Sequence, residues 1–394
     1  MYPTVAQEAQ LAIDFGCCRY VYNWGLRLWK DTYEATGKGF SGYDLLYKLT
    51  TLKRSGEHDW LYDANNQCMQ QSLLNLRGAF TNFFKRLARF PNFKSRRSKQ
   101  SAKYLLNIKH RIGAVRIPKL GWVKTRNYKD IALQGKIKQF VVSKTSSGKY
   151  YCSVLVDTGE VLPKEKDGKV LGLDVGCRHF VVTSDGDKTE AIGATKRYEQ
   201  RLATEQRKLS RKVKGSQRRK KQIIRLARIH ERIANIRNNF IHHLTSALAK
   251  SENQVFAIED LAVRNMVKNR KLAKAISDAS FREFRRQLAY KSRWSGKKVI
   301  VVDRVFPSTK MCHACRYVVK KLPLSEREWV CPSCSTAHDR DINASLNIRD
   351  EAECLMAGGY SVSGRGGRVR LVAGAKADSK ALTREALSSN TTKC

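Results

Sequence analysis

Acidic residues are scarce in this chain. Its 394 residues include 35 Asp and Glu against 76 Lys and Arg, a formal net charge of +41. Self-repulsion on that scale disfavours a compact chain unless a polyanion offsets it. A nucleic acid is therefore favoured as partner over an anionic membrane face or a merely soluble basic surface. Long apolar runs are also missing. No stretch reaches the roughly 18 residues of a spanning helix, and the N-terminus lacks the apolar segment of a secretory leader, so no membrane partner is expected. Disulfide spacing is absent as well: of 11 cysteines, those at 17, 18, 68, 152, 177, 354 and 394 follow no framework, which implies a reduced, intracellular compartment. There is no internal repeat at solenoid periods. The length suits two or three domains with real cores.

The remaining cysteines form two knuckles, Cys312-His313-Ala314-Cys315 and Cys331-Pro332-Ser333-Cys334, separated by 15 residues. This is zinc-ribbon spacing. A closed four-cysteine site leaves no open coordination position, so its expected role is structural, fixing a hairpin too small to build its own core. His313 or His338 could replace a thiolate, though Cys312, Cys315, Cys331 and Cys334 are the simpler set. Arg316 and Ser335 follow the knuckles, where Gly often eases the tight turn.

The first hundred residues read as helical. Leu11, Phe15, Cys18, Tyr22, Leu26 and Trp29 make one stripe, and Leu73, Leu76, Phe80, Phe83 and Leu87 another over about 64–89. Pro91 breaks the second helix, and Lys94, Arg96 and Arg97 follow as candidate phosphate contacts. From about 104 to 160 the pattern is β, with strands 136–144 and 149–157 around a Gly-containing turn. A polar linker covers 163–168. Buried strands follow at 170–176, 180–183, 254–261 and 298–303. A charged helical hairpin is predicted over 196–250, its bend at 210–216 and its cations Arg211, Lys212, Lys214, Arg218 and Arg219 facing solvent or a polyanion. A helix is predicted from Asp341 to about 353. The stretch beyond 358 is rich in Gly, Ser and cations and reads as disordered.

Asp174, Glu259 and Asp341 each interrupt or end an apolar element. A lone buried acid costs several kcal/mol, roughly, if it stays charged and unpaired. Three such acids that converge would instead be paired by hard cations such as Mg²⁺. Two ions about 4 Å apart would activate a water and stabilise the leaving 3′ oxygen of a phosphodiester. Asp341 is favoured over Asp339, which fits an outer or helix-cap position, while Asp185 and Asp260 read as turn or cap residues. Gln70 and Gln71 could pair with an adenine edge in the major groove or simply line a solvated helix face. Tyr104, Trp122 and Tyr128 could stack on unpaired bases or pack in a core.

Gly172-Leu173-Asp174-Val175-Gly176, Ile258-Glu259-Asp260-Leu261, Pro307-Ser308-Thr309-Lys310-Met311-Cys312, the second knuckle and Asp339-Arg340-Asp341-Ile342-Asn343-Ala344-Ser345 resemble, in order and spacing, the transposon-encoded TnpB (OrfB) proteins, relatives of the type V CRISPR nucleases. Tyr2-Pro3-Thr4, Gln70-Gln71-Ser72-Leu73 and Phe83-Phe84 extend the resemblance over nearly all of residues 2–350. It implies an α+β multidomain protein. Its parts would be a helical recognition region (1–103), a small β wedge domain with a helical insertion (104–165), a split ribonuclease H-like (RuvC) α/β domain (166–305 and 338–357), an inserted four-cysteine zinc ribbon (306–337) and a tail (358–394). Because Met1 directly precedes Tyr2, either the first strand of the wedge is missing or the start is misassigned.

The resemblance further implies an RNA-guided DNA endonuclease of a transposable element, with Asp174, Glu259 and Asp341 as metal-binding triad, catalytic Mg²⁺ and structural Zn²⁺. The protein would cleave DNA next to a short target-adjacent motif. Its partners would be a guide RNA from its own locus and double-stranded target DNA, with no small-molecule substrate. A monomer carrying one RNA, in a prokaryotic cytoplasm and near the nucleoid, is expected. Alternatives are a guided repressor without cleavage, disfavoured because all three acids are present, and a strand-joining transposase. An actin-like ATPase, suggested by Leu-Asp-Val-Gly, conflicts with the knuckles and the +41 charge.

Overall fold

The computed structural model describes residues 1–97, 99–126, 135–323, 325–358, 361–362 and 368–369. The chain forms two compact units: Met1–Glu160 with Lys214–Arg228, and Val161–Val213 with the chain from Ile229 onward.

In the first unit, Thr4 opens helix α1 (Val5–Thr36) by a reciprocal cap. Its hydroxyl accepts from the Gln7 amide while the Gln7 side chain accepts from the Thr4 amide, satisfying two otherwise orphaned donors. The apolar stripe from Leu11 to Trp29 is buried. Helices α2 (Gly42–Arg54) and α3 (Asn66–Phe84) pack on it through Leu45, Leu49, Leu73, Leu76 and Phe80. Helix α3 stops short of the range its apolar pattern suggests. The Leu87 and Ala88 amides fold back onto the Asn82 carbonyl, with Arg86 left-handed at φ 56°, so the helix closes before Pro91 is reached.

Among the described residues six strands follow: β1 (Gln100–Tyr104), β2 (Lys109–Arg111), β3 (Ala114–Ile117), β4 (Gly121–Lys124), β5 (Lys136–Lys144) and β6 (Tyr150–Asp157). They make two antiparallel three-stranded sheets, β1-β5-β6 and β2-β3-β4. Both sheets share one core with Leu11, Phe15 and Cys18 of α1. Helix α1 therefore serves a helical core on one face and a β core on the other, and the boundary expected at 103/104 falls inside β1. Tyr2 bridges Lys124 on β4, its amide donating at 2.8 Å. Asp14 is fully buried between these cores, accepting from the Tyr104 hydroxyl at 2.6 Å and the Asn65 amide at 2.8 Å.

The second unit is built on strands β7 (Val170–Val175), β8 (His179–Thr183) and β9 (Lys188–Glu190), helices α4 (Ala194–Ser210) and α5 (Gln217–Lys250, which begins in the first unit), strand β10 (Val255–Glu259), helices α6 (Val263–Met266), α7 (Ala273–Ala279) and α8 (Phe281–Trp294), and strand β11 (Lys298–Val302). The cysteine-bearing segment contributes β12 (Glu328–Val330) and β13 (Ala337–Asp339), helix α9 (Arg340–Met356) follows, and the short strands β14 (Ser361–Val362) and β15 (Arg368–Val369) pair beyond it.

The main sheet runs β11-β10-β7-β8-β9. Strands β7, β10 and β11 are parallel, while β8 runs antiparallel to both its neighbours, β7 and β9. Alternation along the strands divides two cores. Leu171, Leu173, Phe256 and Ile258 face Phe281, Phe284 and Leu288 of α8, whereas Val170, Val255 and Ala257 face Ile348 and Ala352 of α9. A two-residue period then puts Gly172, Asp174 and Glu259 on the α9 face. Gly172 makes this approach possible: a Cβ there would stand 1.9 Å from the Ser345 carbonyl oxygen of α9. Among the described residues no helix is long and apolar enough to cross a membrane.

Candidate metal-dependent active site

Asp174 lies in β7 and Glu259 ends β10. Parallel pairing of Ile258 with Leu173 brings the two acids side by side. The third acid comes from another direction. Asp339 caps α9, its side chain accepting from the Asp341 and Ile342 amides at 3.0 Å, and Asp341 follows in the first turn, where the helix dipole favours an anion. Asp339 spends its other oxygen on Lys188.

The Asp174 carboxyl keeps some solvent access but is packed among protein atoms on most sides. This desolvation, then the nearby Glu259 and Asp341 carboxylates, push its pKa well above the ordinary carboxylate range. Burial also raises Glu259, against the pull of the Ser308 hydroxyl, which donates to its Oε1. Arg327 pairs with Asp341 at 3.2 Å. A carboxyl whose pKa two neighbouring acids raise marks a place short of positive charge, and hard oxygen donors on three rigid elements suit a divalent cation such as Mg²⁺.

Close by in sequence, Cys312, Cys315, Cys331 and Cys334 cluster with all four Sγ atoms within 4.8 Å of one another. Cys312–Cys334 and Cys315–Cys331 are each 3.6 Å apart, near the spacing of about 3.8 Å that four 2.3 Å Zn–S bonds impose on a tetrahedron. The four thiols thus fit a zinc ion. Both knuckles turn alike: the Arg316 amide meets the Cys312 carbonyl and the Ser335 amide the Cys331 carbonyl, each at 2.9 Å. Arg316 (φ 64°) and Ser335 (φ 58°) hold the left-handed conformation that Gly takes at less cost. His338 stands outside the four, its Nε2 3.0 Å from the Cys312 Sγ, and His313 pairs with Asp350 at 3.1 Å.

Three family models match this chain: one described as a probable transposase over residues 153–270, a Cas12f1-like TNB domain over 281–348, and a helix-turn-helix domain over 1–38. A Streptomyces pristinaespiralis protein named "Putative RNA-guided DNA endonuclease" is 37% identical over 94% of this chain and 90% of its own length. The Escherichia coli K12 protein InsQ, similarly named, is 33% identical over 92% of this chain and 94% of its own. The chain belongs to the TnpB (OrfB) family. Its fold is also similar to the protein of a Cas12f1–sgRNA–target DNA complex, with a TM-score of 0.55 over 88% of this chain and 82% of that one at 13% identity. The stretch matching the helix-turn-helix model is one unbroken helix here, α1.

Other residues singled out in this TnpB-family chain have varied surroundings. Tyr104 is no stacking surface: it is fully buried and bonded to Asp14, because its strand faces the α1 core. Trp122 is 40% exposed with the Arg111 guanidinium 4.3 Å above its ring. Tyr128 lies outside the described residues. Gln70 and Gln71 are half-buried on α3, whereas Arg96, Arg97, Arg211, Lys214 and Arg218 are exposed, and Lys212 and Arg219 half-buried. Lys94 rests 3.8 Å over the Tyr22 ring, its backbone gripped by Asn23. Asp185 sits in the Thr183–Asp187 turn and pairs with Lys169. Asp260 is neither turn nor cap: it joins Arg285 and Arg304. Ser308 and Arg327 were not legible as partners of the acids, since no periodicity marks a contact between distant loops.

Proposed function

We propose that this protein is an RNA-guided DNA endonuclease that hydrolyses target-DNA phosphodiesters at Asp174, Glu259 and Asp341. The observation carrying this reading is that Asp174 and Glu259 lie side by side on one sheet face with the Asp341 carboxylate of α9 near enough to raise the Asp174 pKa, in a chain whose full-length relatives bear that name. Sheet order β9-β8-β7-β10-β11 with β7 and β10 central supports a ribonuclease H-like nuclease domain over 166–305 and 338–357. The cysteine-bearing stretch 306–337 is its inserted ribbon, and the sheets of 104–165 are the wedge.

Bound to the three acids, two Mg²⁺ ions would activate a water and neutralise charge at the leaving 3′ oxygen. Asp174 and Glu259, fixed by adjacent strands, hold their oxygens in a constant relation. Asp341 enters from a capped helix end, so Asp339 sets its position. Arg327, exposed beside Asp341, can turn toward an approaching phosphate. The exposed cations Arg96, Arg97, Arg211, Lys214 and Arg218, with Lys212 and Arg219, supply sequence-independent contacts to guide RNA and DNA. Gln70 and Gln71 are the candidate readers of the target-adjacent motif. One monomer with one RNA, in a prokaryotic cytoplasm near the nucleoid, completes the reading.

The test is co-expression with the native locus, sequencing of copurified RNA, and Mg²⁺-dependent cleavage of a plasmid library with randomised flanks. A discrete RNA and cutting beside one short motif are expected. The family model described as a probable transposase favours strand joining as a second reading. Joined products, or cutting without discrete RNA or motif, would contradict the guided nuclease.

A further inference from the structure

Between the first cysteine knuckle and the acid cluster lies a buried polar network that neither requires for its own closure. Asn343 and Asn347 stand one turn apart on α9, 1% and 0% exposed. The Asn343 amide group donates to the Met311 carbonyl at 2.7 Å and its oxygen accepts from the His313 amide at 2.9 Å, gripping the chain on both sides of Cys312. Asn347 donates to the same Met311 carbonyl at 2.7 Å and to the Ser308 carbonyl at 2.8 Å, while its oxygen accepts from Arg316 at 3.4 Å. Ser308 is itself buried, and its hydroxyl donates to Glu259. The residue whose backbone Asn347 fixes thus fixes one oxygen of the acid.

Buried carboxamides satisfied at both ends accept few alternative arrangements, because each broken bond leaves a desolvated polar atom. We propose that Ser308, Asn343 and Asn347 are positioning residues through which the first knuckle sets the place of Glu259, so that an ion held by the four cysteines tightens the divalent-ion site at the acids. This rests on the reading of Asp174, Glu259 and Asp341 as that site. Without a closed knuckle, the turn joining the Cys312 amide to the Tyr317 carbonyl (2.8 Å) is free to open. The Met311 carbonyl then leaves both carboxamides, and Ser308 loses its register on Glu259. Hydrogen-bond partners of metal-ligating groups are worth about 10- to 100-fold in metal affinity.

The experiment measures Mn²⁺ binding to the full chain by the paramagnetic resonance signal of free Mn²⁺, with zinc content determined on the same samples. Ser308→Ala should keep its zinc and bind Mn²⁺ about tenfold more weakly, with Asn347→Ala weakened in the same direction. Ser308→Thr, which keeps the hydroxyl, should recover the binding lost. Cys334→Ser should lose zinc and weaken Mn²⁺ binding, yet add little when combined with Ser308→Ala, because both act by one route. Wild-type Mn²⁺ affinity in Ser308→Ala and Asn347→Ala, or losses from Ser308→Ala and Cys334→Ser that multiply, would overturn the inference. Mn²⁺ binding that is absent in the wild type, or untouched by Asp174→Asn and Glu259→Gln, would overturn the divalent-site reading itself.

Discussion

Asp14 on α1 is fully buried and Asp174 on β7 is packed among protein atoms on most sides, and this desolvation raises the pKa of each above the ordinary carboxylate range. Their company differs. Asp14 meets donors: the Tyr104 hydroxyl, the Asn65 amide and, at 3.5 Å, Gln10. Each of these opposes the rise. Asp174 also has an opposing donor and cation, the Val175 amide and Arg340, but it meets two further acids whose larger effects add to the rise. Burial alone therefore does not separate a structural acid from a candidate metal ligand; the partners do. The fold satisfies Asp14 from within, whereas on the proposed reading the Asp174 cluster would take its countercharge from a bound cation.

The sharpest way to break this contrast is to remove each acid in turn. Asp14→Ala leaves the Tyr104 hydroxyl and the Asn65 amide buried without an acceptor and should cost about 3 kcal/mol of stability in urea unfolding. Asp174→Asn relieves like charge and should leave stability unchanged or about 1 kcal/mol higher. Gly172→Ala comes next. Its Cβ meets the Ser345 carbonyl, and overpacking should cost about 2 kcal/mol, with faster hydrogen exchange at the β7–α9 contact and unaltered exchange in α1–α3.

A pH series gives a smaller effect. The folded pKa of Asp14 lies above its unfolded value of about 4. In that window the folded chain holds a proton that the unfolded chain has lost, so stability falls as pH rises through the folded pKa. Asp14→Asn lacks this dependence, and the stability gap between wild type and variant should narrow from about pH 4 to neutrality. Smallest of all, Ser335→Gly relieves a left-handed residue and should stabilise the second knuckle by up to about 1 kcal/mol, seen as slower zinc release to a chelator.

The sequence made the strands carrying Asp174 and Glu259, the four cysteines and helix α9 legible, because each carries a local signature: an acid in an apolar run, a fixed knuckle spacing, a cap followed by a helical pattern. Contacts between remote segments left no such trace. The sequence leaves Tyr104 open between base stacking and core packing, and the packing of β1 against α1 decides for the core by handing it to Asp14. Asp260 resembles a turn residue until Arg285 and Arg304 close on it from α8 and the loop after β11. Ser308 and Arg327 likewise become partners of the acids only once the cysteine-bearing segment folds back onto α9.

The most direct measurement is strand-resolved cleavage of a matched target plasmid by the RNA-loaded protein in Mg²⁺, wild type against Asp174→Asn. The expected result is that wild type cuts both strands while the variant binds the target equally well and cuts at least about a thousandfold more slowly, the rate equivalent of about 4 kcal/mol of lost transition-state stabilisation. A variant that still cuts either strand at the wild-type rate would contradict the assignment of the chemistry to this acid cluster.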